Sequence, residues 1–100
     1  MAWFAVRGVV RFDEVYEERI VLFRADSAEE AMSRAAGEAA AYVEALGSGE
    51  VHGFQQSYEL AAGDIGDATE VFSLMRTSAL DAESYLTRYF DTGDERQQIL

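Results

Sequence analysis

Apolar residues recur at every second position in the first segment of the chain, from Trp3 to Phe12. Its even positions hold Phe4, Val6, Gly8, Val10 and Phe12. A period of two is typical of a β-strand with one buried face. A glycine inside such a strand, here Gly8, indicates a bulge or a close backbone approach. We therefore predict a first strand, followed by a turn at Asp13 and Glu14.

A second strand is predicted from Tyr16 to Ala25. If it pairs antiparallel with the first through a two-residue turn, the opposed pairs include Phe4 with Phe23 and Val6 with Val21. The Asp-Glu pair is not a preferred hairpin turn, and a slip of one residue would change every partner, so the register stays open. The run from Ile20 to Phe23 places apolar side chains on both faces, which a strand buried on one side would not do.

A long helix is predicted from Ser27 to Leu46. Ser27 can cap the free amides of the first turn, and Glu30, three residues later, can return the bond. Apolar and small residues fall on one helical stripe, namely Ala31, Ala35, Ala39, Tyr42 and Leu46. Alanines on this stripe allow a close approach to a sheet, and Gly47 permits the left-handed backbone that ends a helix.

Two further strands and a shorter helix complete the prediction. The strands are expected at Val51–Leu60 and Thr69–Thr77. The helix should begin at Asp81 as its cap and carry Tyr85, Leu86, Tyr89 and Phe90 inward, before a frayed polar tail at 91–100. The order ββαββα predicts a two-layer α+β fold. It has a four-stranded antiparallel sheet packed by one long alanine-rich helix and a shorter C-terminal helix.

Length and composition fit this picture. A chain of 100 residues with 49% hydrophobic residues is typical of one domain, here 1–100, with its own core. The absence of cysteine excludes disulfides and thiolate chemistry. The apolar stretch at the N-terminus contains Arg7, unlike a signal peptide, and no run approaches the roughly 20 apolar residues of a membrane span. We therefore expect a cytoplasmic protein.

The formal net charge is −11, from 19 acidic and 8 basic residues. Binding to nucleic acid or to an anionic membrane requires clustered basic residues, so we expect neither as a partner. A basic protein partner is compatible with the charge, because complementary fields speed encounter. Solubility alone would also explain the charge.

Four segments resemble a known family: Trp3–Val6, Tyr16–Leu22, Ala25–Ala31 and Thr69–Ser73. They are similar to a bacterial family described as a domain of unknown function, number 4288 in that series. The resemblance extends from Trp3 to about Arg76, and its most specific part is the run Tyr-Glu-Glu-Arg-Ile-Val at 16–21. It implies a fold and no activity, so it transfers no catalytic residue.

Few residues suggest catalytic or metal chemistry. His52 is the single histidine and could act as a general base, although a strand histidine beside aromatic residues is also typical of a structural position. Glu17 and Glu18 are adjacent in a strand and therefore point to opposite faces. Asp64 and Asp67 lie among glycines in a sequence typical of a turn. We predict no catalytic, cofactor or metal site.

The second face of the predicted hairpin is the main candidate site. It brings together Trp3, Arg7, Arg11, Tyr16, Glu18, Ile20 and Leu22. Cross-strand ion pairs and packing under the second helix would explain this set. It would also suit an interaction surface, because Trp, Tyr and Arg dominate binding hot spots. If no helix covers the face, its apolar area implies a partner, and a two-fold dimer is the simplest.

Two functional hypotheses follow. The first is a non-enzymatic protein-interaction module, which that face predicts to be a homodimer. A more specific form of this hypothesis is an immunity- or antitoxin-like protein that neutralises a basic toxin. The alternative is a small-molecule binder or enzyme with a pocket between sheet and helices. His52, Gln56 and Tyr58 would line that pocket, with Arg7 or Arg11 recognising a carboxylate.

Overall fold

The computed structural model describes residues 1–61 and 63–95 and shows an α+β architecture. Strands β1 (Ala2–Phe12), β2 (Val15–Ala25) and β3 (Glu50–Glu59) form an antiparallel sheet in the order β2-β1-β3. Helix α1 (Ala28–Leu46) connects β2 to β3. Near the end of the described chain, the single-turn helix α2 (Ala82–Tyr85) continues into a π-helical turn at Leu86–Phe90.

The β1–β2 hairpin has the register that the two-residue turn predicts. Phe4 is paired with Phe23 and Val6 with Val21, and the pairing continues unbroken to Phe12 and Val15 beside the turn. Asp13 adopts φ 55°, in the left-handed region that aspartate tolerates better than most residues. A positive φ at the first loop position matches the twist of the two strands, which is how this unfavoured turn pair closes a tight hairpin.

The core lies between α1 and the side of the sheet formed by even positions of β1. The buried side chains of Phe4, Val6 and Phe23 cluster with Ala31 and Ala35 of α1. Methyl side chains at the two helix positions let the helix backbone approach the sheet closely, as the alanine stripe predicts. Burial of these aromatic and branched side chains supplies the main apolar driving force of the fold.

Both ends of α1 are capped by local contacts. The Ser27 hydroxyl accepts a hydrogen bond from the Glu30 amide at 3.1 Å, and the Glu30 carboxylate accepts one from the Asp26 amide at 3.2 Å. At the other end Gly47 has φ 76° and donates its N–H to the carbonyl of Glu44 at 3.1 Å. The predicted Ser27 and Gly47 caps are therefore present.

Gly49 connects α1 to β3 at a crowded point. Its φ is 111°, and a Cβ atom added there would lie 2.5 Å from Cε1 of the Phe12 ring and 3.1 Å from Cγ1 of Val43. Only glycine accommodates both the conformation and the contact. The ring of Phe12 thereby closes the end of the core against the start of β3.

The predicted fourth strand is wrong, and with it the four-stranded sheet and the ββαββα order. Residues 63–81 form neither strand nor helix. The segment passes over the sheet on the side opposite α1, where Phe72 packs against Tyr58 with ring centroids 6.1 Å apart. Met75 in the same segment is 96% exposed. Strand propensity reflects packing on a pleated surface, and a segment that buries so few side chains gains little from joining a ladder.

The short C-terminal helix begins as predicted but does not face inward. The Asp81 carboxylate caps α2 by accepting the Ser84 amide at 2.8 Å. Tyr85 is half-buried, whereas Leu86 and Tyr89 are exposed and Phe90 is 76% exposed, so their inward placement is wrong. Across residues 82–90, no Cα lies within 8 Å of a Cα in α1 or in the sheet, so these side chains have no core to enter.

Part of the predicted tail at 91–100 lies outside the described residues, which end at 95. Within 91–95, the Glu95 carboxylate closes a turn by accepting the Thr92 amide at 2.9 Å and the Gly93 amide at 3.0 Å. In the part of the chain that the structure describes, no helix combines the length and apolar character needed to cross a bilayer.

Candidate interaction surface

The sheet has a second side, opposite α1, that we call the outer face. Side chains alternate along each strand, so the odd positions of β1 and the even positions of β2 point to it. All seven residues predicted for the interaction surface share it: Trp3, Arg7, Arg11, Tyr16, Glu18, Ile20 and Leu22. The register places Arg7 opposite Ile20 and Arg11 opposite Tyr16. The predicted set is therefore one contiguous strip rather than two separate groups.

Arg7 connects the three strands across the outer face. Its Nη2 atom pairs with the Glu18 carboxylate on β2, and its Nη1 atom donates to Oε1 of Gln56 on β3 at 3.3 Å. Both partners of the ion pair retain solvent contact, so the pair contributes at most about 1 kcal/mol to stability. Its structural effect is to orient the guanidinium along the plane of the sheet.

Two other arginines lie over aromatic rings of the same face. The Arg11 guanidinium carbon is 5.1 Å from the ring centre of Tyr16, and that of Arg24 is 5.6 Å from the ring of Trp3. The Arg11 Nε atom also donates to the Asp13 carbonyl at 2.6 Å. Such cation–π contacts contribute about 0.5–1 kcal/mol at exposed sites. They place one guanidinium group beside an aromatic ring at each end of the hairpin.

Solvent exposure divides the outer face into two halves. On the β3 side Ala5 is fully buried, and the Phe72 ring lies 5.8 Å from the Arg7 guanidinium carbon. On the β2 side Tyr16 is 58% exposed and Ile20 is 45% exposed. The segment after β3 therefore covers the outer face as far as Arg7 and leaves the β2 half open.

Tyr58 fixes the covering segment to β3. Its hydroxyl donates to the Glu70 carboxylate at 3.1 Å, and its ring packs against Phe72. The hydrogen bond to Glu70, with burial as a smaller cause, raises the pKa of Tyr58 above its ordinary value. Tyr58 is therefore neutral at physiological pH and acts here as a hydrogen-bond donor.

The structure places the predicted pocket residue His52 on a different side of the sheet from Gln56 and Tyr58. His52 borders a cavity of about 20 Å³ between α1 and the sheet, together with Gln55. Gln56 and Tyr58 lie on the outer face, beside Arg7 and Phe72. A volume of 20 Å³ admits about one water molecule, whereas ligand pockets are typically 300 Å³ or more.

A bulge in β3 separates His52 from the other two. Gly8 is paired with Gln55, but Val10 is paired with Val51, so Val9 faces three residues of β3, 52–54. Two extra residues on one strand bend it and interrupt its ladder. The sequence indicated an irregularity at Gly8, and the pairing breaks immediately after it, with the extra residues on β3.

The arginines proposed to recognise a carboxylate already have partners. Arg7 is paired with Glu18, and Arg11 donates to the backbone at the turn. The His52 Nδ1 atom accepts the Phe54 amide at 3.0 Å inside the bulge. These contacts give each of the three side chains a structural role that does not require a ligand.

A charged network at the α1 side was not predicted. Arg19 of β2 donates to both carboxylate oxygens of Glu38 at 2.9 and 2.7 Å, and its guanidinium lies 3.8 Å from the ring centre of Tyr42. The Tyr42 hydroxyl donates to Glu17 at 2.6 Å. The sequence does contain a signal for this network. Glu17 and Arg19 are two apart in a strand, and Glu38 and Tyr42 are four apart in a helix, so each pair lies on one face of its element.

Hydrogen bonding sets the charge states in this network. The bond to Glu38 raises the pKa of Arg19 against the opposing effect of burial, and the bond to Glu17 raises the pKa of Tyr42. Arg19 is therefore charged and Tyr42 neutral throughout the physiological range. The network binds α1 to β2.

In the described part of the chain, two large open grooves border the outer face. One, of about 520 Å³, separates Arg7 and Ile20 from the aromatic side chains of the C-terminal turns, where Arg76 donates to the Tyr85 hydroxyl at 3.3 Å. The other, of about 620 Å³, lies at the turn end of the hairpin. Its lining includes Glu14, Glu17, Glu18, Asp94 and Glu95.

Within residues 1–61 and 63–95, histidine and carboxylate side chains do not converge in groups of three that could hold a metal ion. No family model matches the chain, and no curated protein or solved structure matches it. The similarity to the domain-of-unknown-function family stays a prediction. Functional inference therefore depends on the geometry of the outer face.

Proposed function

We propose that this protein is a non-enzymatic protein-interaction module that binds through the β2 half of the outer face, and that it forms a homodimer. One observation carries the proposal: Ile20 and Tyr16 remain exposed on a strand whose other face packs under α1. Segment 69–76 covers the neighbouring β3 half, where Phe72 lies beside Arg7, and an open groove separates Ile20 from the C-terminal turns.

The composition of the open half supports a binding role. Trp3 and Leu22 are half-buried beside the exposed Ile20, and Arg11 and Arg24 lie over aromatic rings. Trp, Tyr and Arg are the residues that contribute most to binding energy in interfaces. Their side chains are already held by ring contacts and hydrogen bonds, so less side-chain entropy is lost when a partner binds.

A basic protein is the second candidate partner, as in the immunity- or antitoxin-like version of the hypothesis. The acidic groove at the turn end of the hairpin favours it, because five acidic residues line it beside Tyr16 and Tyr42. Hydrogen bonds from Thr92 lower the pKa of Glu95 to about 2, so this carboxylate stays ionised. A complementary field of this kind increases association rates.

Sedimentation of wild type and Ile20→Arg tests the proposal. We expect a wild-type dimer at micromolar concentration and a monomeric variant, because the substitution places a charge in the apolar centre of the open half. Met75→Arg is the matched control: it adds the same charge at a 96% exposed position outside the hairpin and should remain dimeric.

A monomeric wild type at micromolar concentration would exclude the homodimer. In that case native mass spectrometry of the protein with the basic product of a neighbouring gene distinguishes the second candidate. A complex that is lost in a Glu14→Gln, Glu17→Gln double variant would assign the acidic groove. Retention of the complex in that variant would contradict this assignment.

A further inference from the structure

The two edges of the sheet differ in regularity. The edge of β3 is interrupted by the bulge at residues 52–54. Strand β2 has 11 residues, and its pairing with β1 is continuous from Ala25 to Val15. Exposed edges are usually blunted by bulges, proline or lysine, and this chain contains neither proline nor lysine. The β2 edge is therefore the straight one, regular along its whole length.

The hairpin register determines which backbone groups point outward from β2. In a two-residue hairpin the pair beside the turn, Phe12 and Val15, is hydrogen-bonded, and bonded and non-bonded pairs then alternate. The odd positions of β2 consequently bond to β1. The even positions direct their N–H and C=O groups to the free edge: Tyr16, Glu18, Ile20, Leu22 and Arg24.

Two hydrogen bonds support this alternation independently. The Trp3 carbonyl accepts the Leu60 amide at 2.9 Å, so Trp3 directs its backbone to the β3 side rather than to β2. The carbonyl of Arg24, which lies opposite Trp3, accepts Nη1 of Arg34 at 2.7 Å. The Arg24 carbonyl is thus at the free edge, and it retains a second lone pair for another donor.

We propose that β2 pairs antiparallel with β2 of a second copy, with the two-fold axis at Val21; this inference rests on the homodimer proposed above. The axis places Ile20 opposite Leu22 of the second copy, twice by symmetry. It also places Glu18 opposite Arg24 of the second copy, again twice. The outer-face sequence Glu18-Ile20-Leu22-Arg24 is therefore complementary to itself when reversed.

Other two-fold registers lack this complementarity. An axis at Arg19 sets two arginines against each other. An axis at Ile20 leaves Glu18 opposite Leu22, and one at Leu22 places Glu18 opposite Asp26. Like charges directly opposite across strands destabilise pairing, whereas opposite charges stabilise it. In a chain of net charge −11, two reciprocal Glu–Arg pairs also offset repulsion between the copies.

Helix α1 leaves this edge accessible. It contacts all three strands and therefore lies over the middle of the sheet rather than beyond β2. Pairing would join the three strands of each copy into one continuous sheet and bring Ile20 and Leu22 of the two copies into contact on the outer face. The same contact would give the edge amides hydrogen-bond partners and reduce the solvent exposure of the apolar side chains.

A charge exchange tests the register. Glu18→Arg and Arg24→Glu should each weaken the dimer about tenfold, because each creates two repulsive pairs by symmetry. The double variant should return to within about threefold of wild type, since both pairs are restored in reverse. The matched controls carry the same charge changes at exposed positions of other elements, Glu44→Arg in α1 and Arg88→Glu in the C-terminal π-helical turn, and should leave the dissociation constant unchanged.

Hydrogen exchange provides a second readout that does not depend on substitution. The amides of Ile20 and Leu22 should gain protection as protein concentration rises through the dissociation constant. The amides of Val21 and Phe23 bond to β1 and should be protected at all concentrations. A dimer that stacks outer face on outer face would leave the Ile20 and Leu22 edge amides exchanging freely.

The outcomes separate this inference from the function on which it rests. A wild-type monomer would overturn both. A dimer that persists in folded Glu18→Arg and Arg24→Glu variants would overturn the β2 register alone and leave the homodimer in place. Failure of the folded double variant to recover would also overturn the register, and circular dichroism establishes that each variant is folded.

Discussion

The two faces of the sheet are closed by different means. Under α1, Phe4, Val6 and Phe23 meet Ala31 and Ala35 of a helix that is capped at both ends. On the outer face, a segment without regular structure covers the β3 half through single side chains such as Phe72. The β2 half keeps Ile20 and Tyr16 in contact with solvent.

This difference indicates where stability and binding are located. A continuous helix face excludes water from a core in which neighbouring contacts support one another. Isolated side-chain contacts on the outer face add little to the cooperative unit, so substitutions there are tolerated and the surface is available for a partner. Three pairs of substitutions sharpen the comparison, from the largest expected effect to the smallest.

The largest contrast is between two phenylalanines. Phe4→Ala, at a position 5% exposed under α1, should lower the free energy of unfolding by about 3–5 kcal/mol. Phe72→Ala on the outer face should cost about 1 kcal/mol, because its ring is only half-buried. Urea denaturation at one fixed protein concentration measures both. Equal losses would show that the two faces contribute alike to the core.

Two glycines should respond in opposite directions. Gly49→Ala forces a Cβ onto the Phe12 ring at a φ of 111° and should cost about 1–3 kcal/mol. Gly37 lies inside α1 with open space around the added atom, so Gly37→Ala should gain about 0.5–1 kcal/mol from helix propensity. Thermal unfolding of the two variants shows whether each substitution raises or lowers the melting temperature. If Gly49→Ala left the free energy of unfolding unchanged, the Phe12 ring would be able to move aside without loss of packing energy.

The smallest contrast concerns the helix caps. Ser27→Ala should cost about 1 kcal/mol, because the capped helix closes the core. Asp81→Ala should leave the global unfolding midpoint unchanged, because no Cα of α2 lies within 8 Å of the sheet. Chemical denaturation compares the two variants. A loss of global stability in both variants would indicate that α2 unfolds cooperatively with the core.

The Asp81 cap also has a pH signature. The Ser84 amide lowers the pKa of Asp81 below its ordinary value of 3.8. A carboxyl whose folded pKa is depressed stabilises its helix above the unfolded pKa and loses that effect as the pH falls through the folded pKa. NMR titration of α2 amides should therefore show the helix turn melting below about pH 4. An Asp81 pKa at or above its ordinary value would exclude this cap in solution.

Local signals predicted the first half of the chain well. The alternation of Phe4 and Val6 and the Ser27 cap each involve residues within a few positions of one another, and both are confirmed. The hairpin has the register of the two-residue turn, which the sequence left open against a one-residue slip. The shared face of Arg7, Ile20 and Glu18 followed from that register.

The second half depends on contacts that no local pattern contains. Val71, Phe72 and Leu74 alternate like a strand, but whether an edge accepts a strand is decided by the rest of the sheet. The bulge opposite Val9 placed His52 away from Gln56, although both residues are at even positions. Tyr89 and Phe90 have the spacing of an inward helix face, yet the core that they would enter is already filled by α1.

The bulge in β3 also limits the size that an assembly can reach. Sheets with two straight edges can add copies at both ends without limit, which is the geometry of a growing fibril. Here only one edge runs straight, so a second copy that occupies it leaves kinked strands at both outer margins. The bulge at residues 52–54 would thereby prevent further copies from adding at β3. Deleting two of these three residues to restore a regular β3 should convert a finite assembly into filaments.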